Sequence, residues 1–226
     1  MNTPHDTLRW DWEKLRGDLS DKPAENTRRY LEYILEKCGI QPASIGVIHN
    51  LACGDAEEAP VLEELFPRAK IIAIEKDEWA MSWARHSSEK CRRTTFLQKD
   101  LYDEKVWKTL PKADMVLLQQ PQLSWMEHRM YIENWIPRIS KSLNAGGIFI
   151  ICLMYPWDLS GFYEESIYVG EKNPAETVDR YFDTILDEEN PYGDLHDYYW
   201  IMAFHKKSRK PQAATRVTKI LDCKRK

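Results

Sequence analysis

Residues 45–56, which read IGVIHNLACGDA, decide how this chain folds. Residues 45–51 are mostly apolar and predict a strand, and small residues follow at positions 52, 54 and 56. A strand that turns sharply into a helix needs small residues there, so that a ligand can approach the backbone. The N-terminus of the next helix offers free N–H groups at the same place. A tight strand–helix turn without a ligand fits these residues equally well.

Outward from this turn, apolar runs alternate with segments of helical periodicity. The predicted strands are residues 45–51, 70–74, 94–97, 113–118 and 148–154. The predicted helices are residues 57–66, 78–90, 103–110 and 125–143, with one more that follows Pro23 and stops near Gly39. Five short strands alternating with helices predict a doubly wound α/β fold, with a mostly parallel sheet covered on both faces.

The C-terminal part is less regular. Residues 155–173 form a long loop rich in aromatic side chains, a candidate substrate lid. Pro174 is tolerated in a first helical turn and opens a predicted helix to about residue 188. Residues 198–205 predict a strand, and residues 215–221 a second one antiparallel to it. We expect residues 23–226 to form one domain.

Composition excludes several classes of protein. The 226 residues suit one α/β domain preceded by an irregular segment, residues 1–22. Hydrophobic residues make up 43% and charged residues 30%, a balance that excludes general disorder. No apolar run approaches the roughly 20 residues of a membrane span, and the first residues lack the apolar core of a secretory signal. Five scattered cysteines without a CxxC favour the reducing cytoplasm and do not match zinc spacing.

Charge is unevenly placed along the chain. Residues 206–226 hold nine Lys or Arg and one Asp, about +8, and the rest carries about −12 of the net −4. A basic segment can hold phosphates, but a solvated surface segment has the same composition. The acidic remainder repels a polyanion. Nucleic acid is therefore not the expected partner, except through this segment, and the oligomeric state is open.

Ligands of such sheets bind at the carboxyl ends of the strands. Glu75 ends the second strand about 20 residues after Gly54, a spacing at which an acid can accept hydrogen bonds from both ribose hydroxyls. Asp100 follows the third strand and could accept from an exocyclic amine or cap the next helix. Gln119 and Gln120 end the fourth strand and could contact a substrate or be ordinary loop residues.

Taken in order, these segments resemble the class I S-adenosylmethionine-dependent methyltransferase family. The matching segments are residues 50–56 (NLACGDA, the D-L-G-C-G-x-G motif), 72–77 (IAIEKD, the ribose-binding acid), 100–101 (DL, the adenine side), 114–118 (DMVLL, the fourth strand) and 143–148 (LNAGGI, the turn before the fifth strand). The resemblance covers roughly residues 30–155. It implies a Rossmann-like, seven-stranded sheet with an antiparallel C-terminal strand or hairpin. The first motif is degenerate, because Asn50 replaces the acid and Ala52 and Ala56 replace two glycines.

The resemblance also implies roles for individual residues. The implied S-adenosylmethionine-binding residues are Asn50, Ala52, Cys53, Gly54, Asp55, Glu75, Lys76, Asp100, Leu101 and Gln119. The catalytic candidates are Gln119, Gln120 and His128, the last as a base or as an ordinary surface histidine. Tyr155 and Trp157 could line the substrate pocket or pack in the core, and no metal is expected.

Four functions are compatible with these residues. The first is methyl transfer to oxygen or nitrogen of a small molecule. The second is a binding domain of the same fold that has lost catalysis, which the degenerate first motif suggests. The third is RNA methylation guided by residues 206–226. The fourth is a nicotinamide-dependent oxidoreductase, which is disfavoured because its G-x-G-x-x-G pattern requires glycine at Glu57, where a carboxylate would face the pyrophosphate.

Overall fold

The computed structural model describes residues 23–119, 134–153, 174–189 and 200–207, and elements are numbered over these residues. The helices are α1 (Pro23–Lys37), α2 (Ala59–Leu65), α3 (Glu78–Ser87), α4 (Glu104–Thr109), α5 (Ile136–Ser142) and α6 (Pro174–Tyr181). The strands are β1 (Val47–Leu51), β2 (Lys70–Glu75), β3 (Thr94–Gln98), β4 (Ala113–Gln119), β5 (Leu143–Leu153), β6 (Phe182–Glu189) and β7 (Trp200–Lys206). None of the helices in these ranges is long and apolar enough to cross a membrane.

The seven strands form one sheet in the order β3-β2-β1-β4-β5-β7-β6. Strands β1 to β5 run parallel, and β7 is antiparallel to both β5 and β6. The sheet confirms the predicted doubly wound architecture with an antiparallel C-terminal pair. Strand order reverses next to β1, between β2 and β4, so the carboxyl end of β1 lies at the topological switch point where such sheets bind ligands.

Helices cover both faces of the sheet. On one face, Ile48 of β1 and Leu117 of β4 are fully buried in a cluster with Tyr30 and Ile34 of α1. On the other face, Val116, Leu118 and Phe149 are buried with residues of α5, and Val178 of α6 packs against them. Since neighbouring strand residues face opposite, equally buried layers, the strands read as continuous apolar runs.

The C-terminal helix prediction is wrong beyond residue 181. Helix α6 ends at Tyr181, and β6 begins at the next residue instead of a helix continuing to about residue 188. Phe182, Ile185 and Leu186 stand at helical spacing, so the local sequence is also compatible with a helix there. A register shift between Thr184 and Leu186 lets the same residues pair with β7, because it interrupts the strict alternation of a strand.

Three other predicted elements either differ from the structure at a boundary or extend beyond the described residues. Strand β5 begins at Leu143, where the predicted helix was to end, because Leu143 already pairs with Ala113 of β4. Of the predicted helix 125–143 the structure describes the last part, α5. The predicted strand 215–221 lies outside the described residues.

Candidate functional site

The turn after β1 has the backbone of a glycine-rich turn, although two of its positions are alanine. The φ angles of Ala52, Gly54 and Ala56 are 50°, 55° and 50°, all in the left-handed region. A non-glycine residue there costs roughly 1–2 kcal/mol. The N–H of Cys53 donates to the carbonyl of Ile74 at 3.1 Å, which ties the turn to β2. Backbone strain of this kind collects at ligand-binding sites.

Glu75, the last residue of β2, directs its carboxylate onto this turn. Its Oε2 accepts from the N–H of Gly54 at 3.1 Å. Its Oε1 accepts from the N–H groups of Lys76 at 2.7 Å and Asp77 at 2.9 Å. These bonds use three of the roughly four acceptor positions of a carboxylate, so two hydroxyl donors would compete with Gly54 for one of them. The structure thus brings the predicted ribose acid to the small-residue turn.

The end of β3 lies beside Glu75, as the sheet order requires. Lys99 donates its N–H to the carbonyl of Glu75 at 2.9 Å. The exposed Asp100 follows, and its Oδ1 accepts from the N–H of Tyr102 at 2.9 Å. Asp103, whose side chain accepts from the N–H of Lys105, is the residue that caps α4. Asp100 is therefore not a helix cap and faces solvent at the carboxyl edge of the sheet.

Leu101 and Lys76 take different places around this edge. Leu101 is buried, and its carbonyl accepts from the indole N–H of Trp107 at 2.8 Å. The ammonium of Lys76 lies 5.9 Å from the ring centroid of Tyr102, within the range of a cation–π contact. Leu101 therefore stabilises this edge through its carbonyl hydrogen bond and its buried side chain. Lys76, in contrast, places a positive charge near the predicted nucleoside position.

Beneath the turn lies a buried polar pair that the sequence did not reveal. Asn50 is fully buried, and its Nδ2 donates to Oε1 of Glu58, which precedes α2 and is also buried. Burial raises the pKa of Glu58 to about 7, against the hydrogen bond from Asn50, which lowers it. Among the described residues, Oδ1 of Asn50 has no hydrogen-bond partner. A signal was available: β1 ends in an amide where the family has an acid, and an acid stands eight residues later.

The remaining turn residues add further acidic or buried groups. The pKa of the Cys53 thiol is raised well above its ordinary value by burial and by the charges of Glu58, Glu75 and Asp55. Asp55 is half-buried, and its carbonyl accepts from the hydroxyl of Ser87 in α3. The site thus collects negative charge, which suits a cationic ligand better than a polyphosphate.

Gln119 is held by α1 at the carboxyl end of β4. Its Nε2 donates to the hydroxyl of Tyr30 and to Oγ1 of Thr27, the latter at 3.3 Å. Cys152 pairs with Gln119 in the β4–β5 register, and the Tyr30 hydroxyl also hydrogen-bonds its thiol. Helix α1 therefore covers this strand end through a polar cluster, which we call the Tyr30 cluster (Thr27, Tyr30, Gln119 and Cys152).

Some predicted site residues are not part of the described chain. Gln120, His128, Tyr155 and Trp157 all lie outside it. Within the described ranges, no group of His, Cys, Asp or Glu side chains is arranged to hold a metal ion.

Several solved structures share this fold. The N-methyltransferase NodS from Bradyrhizobium japonicum WM9 matches with a TM-score of 0.58 and 12% identity, over 83% of this chain and 99% of NodS. NodS in complex with S-adenosyl-L-homocysteine matches with 0.56 and 12%, over 84% and 90%. A precorrin-6y C5,15-methyltransferase from Geobacter metallireducens GS-15 matches with 0.55 and 15%, over 83% and 93%.

An rRNA methylase from Streptococcus thermophilus is also similar, with a TM-score of 0.51 and 12% identity over 76% of this chain and 92% of that one. No protein-family model and no curated protein sequence matches the chain. The likeness is thus one of fold, and it agrees with the strand order described above. The chain has the Rossmann-like fold of the class I S-adenosylmethionine-dependent methyltransferases.

Proposed function

We propose that this protein binds S-adenosylmethionine and transfers its methyl group to an oxygen or nitrogen of a small molecule. The observation that carries the proposal is the Gly54–Glu75 contact at 3.1 Å, which places a carboxylate at the small-residue turn of the switch point. The residues fit this cofactor. The left-handed backbone at Ala52 and Ala56 preserves the shape of a glycine turn, and the buried Asn50 Oδ1 is available to a donor.

The proposed binding roles follow from position. Glu75 would accept from the ribose hydroxyls, and Asp100 from the adenine amine. The turn, residues 50–55, would hold the methionine part, while Lys76 and Leu101 flank the nucleoside. Gln119 would lie where the cofactor meets the acceptor. S-adenosylmethionine supplies an electrophilic methyl group activated by its own sulfonium charge.

Given that chemistry, the protein needs mainly to align the acceptor and exclude water. The Tyr30 cluster closes one side of the carboxyl edge of the sheet. A hydroxyl or ammonium acceptor also has to lose a proton, for which His128 is the proposed base. Gln120 would be a second catalytic candidate beside Gln119, and Tyr155 and Trp157 would line the acceptor pocket.

The structure bears on the competing functions. The turn keeps its left-handed backbone at positions 52 and 56 in spite of the alanine side chains, which supports a working turn over a domain that has lost the cofactor. A nicotinamide enzyme is disfavoured by the buried Glu58 beside the turn and by a strand order that differs from 3-2-1-4-5-6. An RNA acceptor, favoured by the rRNA methylase likeness and the basic segment 206–226, is the second candidate.

The four free cysteines of the described part, Cys38, Cys53, Cys91 and Cys152, support a cytoplasmic location.

Calorimetric titration of the full chain with S-adenosylmethionine and S-adenosylhomocysteine tests the cofactor. We expect saturable binding, and we expect Glu75→Gln to weaken it by at least about 100-fold, because two charge-assisted hydrogen bonds would be lost. The matched control is Glu63→Gln. Glu63 also accepts from two backbone N–H groups, those of Arg92 and Arg93, but far from the turn.

A folded wild-type protein that binds neither compound would overturn the proposed function and favour a binding domain for another ligand. For the acceptor, RNA binding that falls steeply with salt and is lost on deletion of residues 206–226 would favour the RNA alternative.

A further inference from the structure

The Asn50–Glu58 pair is unusual because it is buried and only half satisfied. Asn50 is fully buried, Glu58 is 7% exposed, and the amide Nδ2 of Asn50 donates to the carboxylate. The amide Oδ1 has no partner within residues 23–119, 134–153, 174–189 and 200–207, although leaving a buried acceptor unpaired costs about 1–3 kcal/mol. An amide held on one side and unpaired on the other is poised to accept a hydrogen bond from a ligand in the turn.

The groups that face Glu58 are acidic. Asp55 and Glu57 of the same loop raise its pKa in addition to burial. Glu75 of β2 shares a neighbour with Glu58, since both carboxylates act on the Cys53 thiol. Among the described residues Glu58 makes no ion pair. Ionised Glu58 is therefore a buried negative charge with no cation beside it in the described part of the chain, and a cationic ligand would supply a counter-charge.

We propose that Glu58, acting through Asn50, makes this site prefer the sulfonium cofactor over the thioether product, which has lost the sulfonium charge together with the methyl group. The inference rests on the proposed function and assigns Glu58 as a positioning residue. When Glu58 is ionised, it accepts from Nδ2 and holds the amide with Oδ1 directed away from itself. When Glu58 is protonated, its O–H can donate to Oδ1 instead, so the amide turns and presents its N–H₂ group.

Both effects act in the same direction. An outward Oδ1 and an ionised carboxylate each stabilise a cation in the turn, and both are lost on protonation. S-adenosylmethionine carries a sulfonium charge that S-adenosylhomocysteine lacks, while their amino-acid groups are the same. The ratio of the two affinities therefore isolates the sulfonium charge. At an effective dielectric constant of about 40, between the values for water and for a protein surface, one unit charge at about 6 to 13 Å changes this ratio by about tenfold to threefold.

The test is calorimetric titration of the full-length protein with both compounds between pH 5.5 and 8.5. We expect the preference for S-adenosylmethionine over S-adenosylhomocysteine to rise about three- to tenfold with a midpoint near pH 7. At pH 7, titration in buffers of different ionisation enthalpy should show that S-adenosylmethionine releases more protons than S-adenosylhomocysteine. Glu58→Gln should remove both the pH dependence and the difference in proton release.

Glu57→Gln is the matched control, because it removes a neighbouring carboxylate without touching Asn50, and it should keep the pH dependence. A wild-type preference that does not change with pH, or a Glu58→Gln protein that keeps the wild-type profile, would overturn this inference alone. A folded wild-type protein that binds neither compound at any pH would overturn the proposed function and this inference with it. The wild-type measurement decides even where a variant does not fold.

Discussion

Each end of the sheet has a side-chain carboxylate that accepts several N–H hydrogen bonds, but the two carboxylates differ in their surroundings. At the amino end, Asp114 of β4 accepts from the N–H groups of Gly46 at 2.9 Å and Val47 at 3.0 Å, and from Asn144 at 2.7 Å. At the carboxyl end, Glu75 accepts from three N–H groups in a similar way. In both places a side-chain carboxylate joins neighbouring strands through backbone donors.

What surrounds each carboxylate is different. At the amino end, the irregular stretch of β5 between Leu143 and Ile148, where its register with β4 shifts, has a glycine, Gly146, at its left-handed position, with φ of 71°. At the carboxyl end, alanines take such positions and Asn50 keeps an unpaired buried oxygen. The amino end is therefore arranged for stability, whereas the carboxyl end retains unfavourable features that a ligand can relieve. A carboxylate with many hydrogen bonds does not by itself mark a site; unsatisfied neighbours do.

The largest expected effect separates the two carboxylates. Asp114→Ala should lower the free energy of unfolding by about 3 kcal/mol, because three donors lose a charged acceptor, and it should leave the affinity for S-adenosylmethionine unchanged. Glu75→Ala should lower both. Urea denaturation and calorimetry on the two variants measure the difference. Equal losses of cofactor affinity in both variants would contradict the division between the two ends.

The next prediction uses two buried groups on opposite faces of β1. Burial lowers the pKa of His49 to about 4, against a hydrogen bond with the backbone of Pro111, which raises it. The unfolded chain therefore binds more protons than the folded one between pH 4 and 6.5, and stability rises with pH there. The raised pKa of Glu58 has the opposite effect, so stability falls from about pH 4.5 to 7. Each contribution amounts to about 3 kcal/mol at most.

In the wild-type protein these two contributions should nearly cancel between pH 4.5 and 6.5. In Glu58→Gln, the free energy of unfolding should rise with pH in this window, and in His49→Leu it should fall. Urea denaturation at several pH values measures both slopes. Parallel slopes in the two variants would show that neither group has the shifted pKa on which this prediction rests.

The smallest effects concern the left-handed positions. Gly146→Ala should destabilise the protein by about 1 kcal/mol, since the new methyl group has space but the backbone does not suit it. Ala52→Gly should stabilise by about 0.5 kcal/mol, because relief of strain exceeds the entropy cost of glycine. Ala56→Gly should gain nothing, because Ala56 is fully buried and its methyl packs in a cluster with Met81. Thermal unfolding of the three variants ranks their stabilities. A Gly146→Ala protein that is more stable than the wild type would contradict the prediction.

Most of the sheet was predictable from local sequence, and the exceptions have a common cause. The apolar runs of β1, β2, β4 and β5 contain buried residues on both faces, so burial and sequence coincide there, whereas the edge strand β3 has no fully buried residue. Strand β6 was not predicted, because Phe182, Ile185 and Leu186 fit a helix locally and only pairing with the distant β7 makes them a strand. Propensity is overridden by tertiary context in such cases.

The candidate site was predictable to a similar degree. The small-residue turn and Glu75 follow from strand–turn–strand spacing, and the structure places them in contact. The hydrogen bond of Gln119 to Tyr30 could not be foreseen, since it joins residues that are distant in the sequence. Glu58 was missed for a simpler reason: burial of an acid beside an amide is a property of the folded chain.

The position of β7 has a consequence for synthesis on the ribosome. Strand β7 follows β6 in the chain but lies between β5 and β6 in the sheet. Until Trp200–Lys206 has left the exit tunnel, the long β5 has an open edge and β6 has no strand to pair with. An open, apolar strand edge can pair with a strand of another chain and so promotes aggregation. Closure of the described sheet therefore depends on β7, which is synthesised after β5 and β6, and a chaperone that shields β5 would be of most use just before β7 emerges.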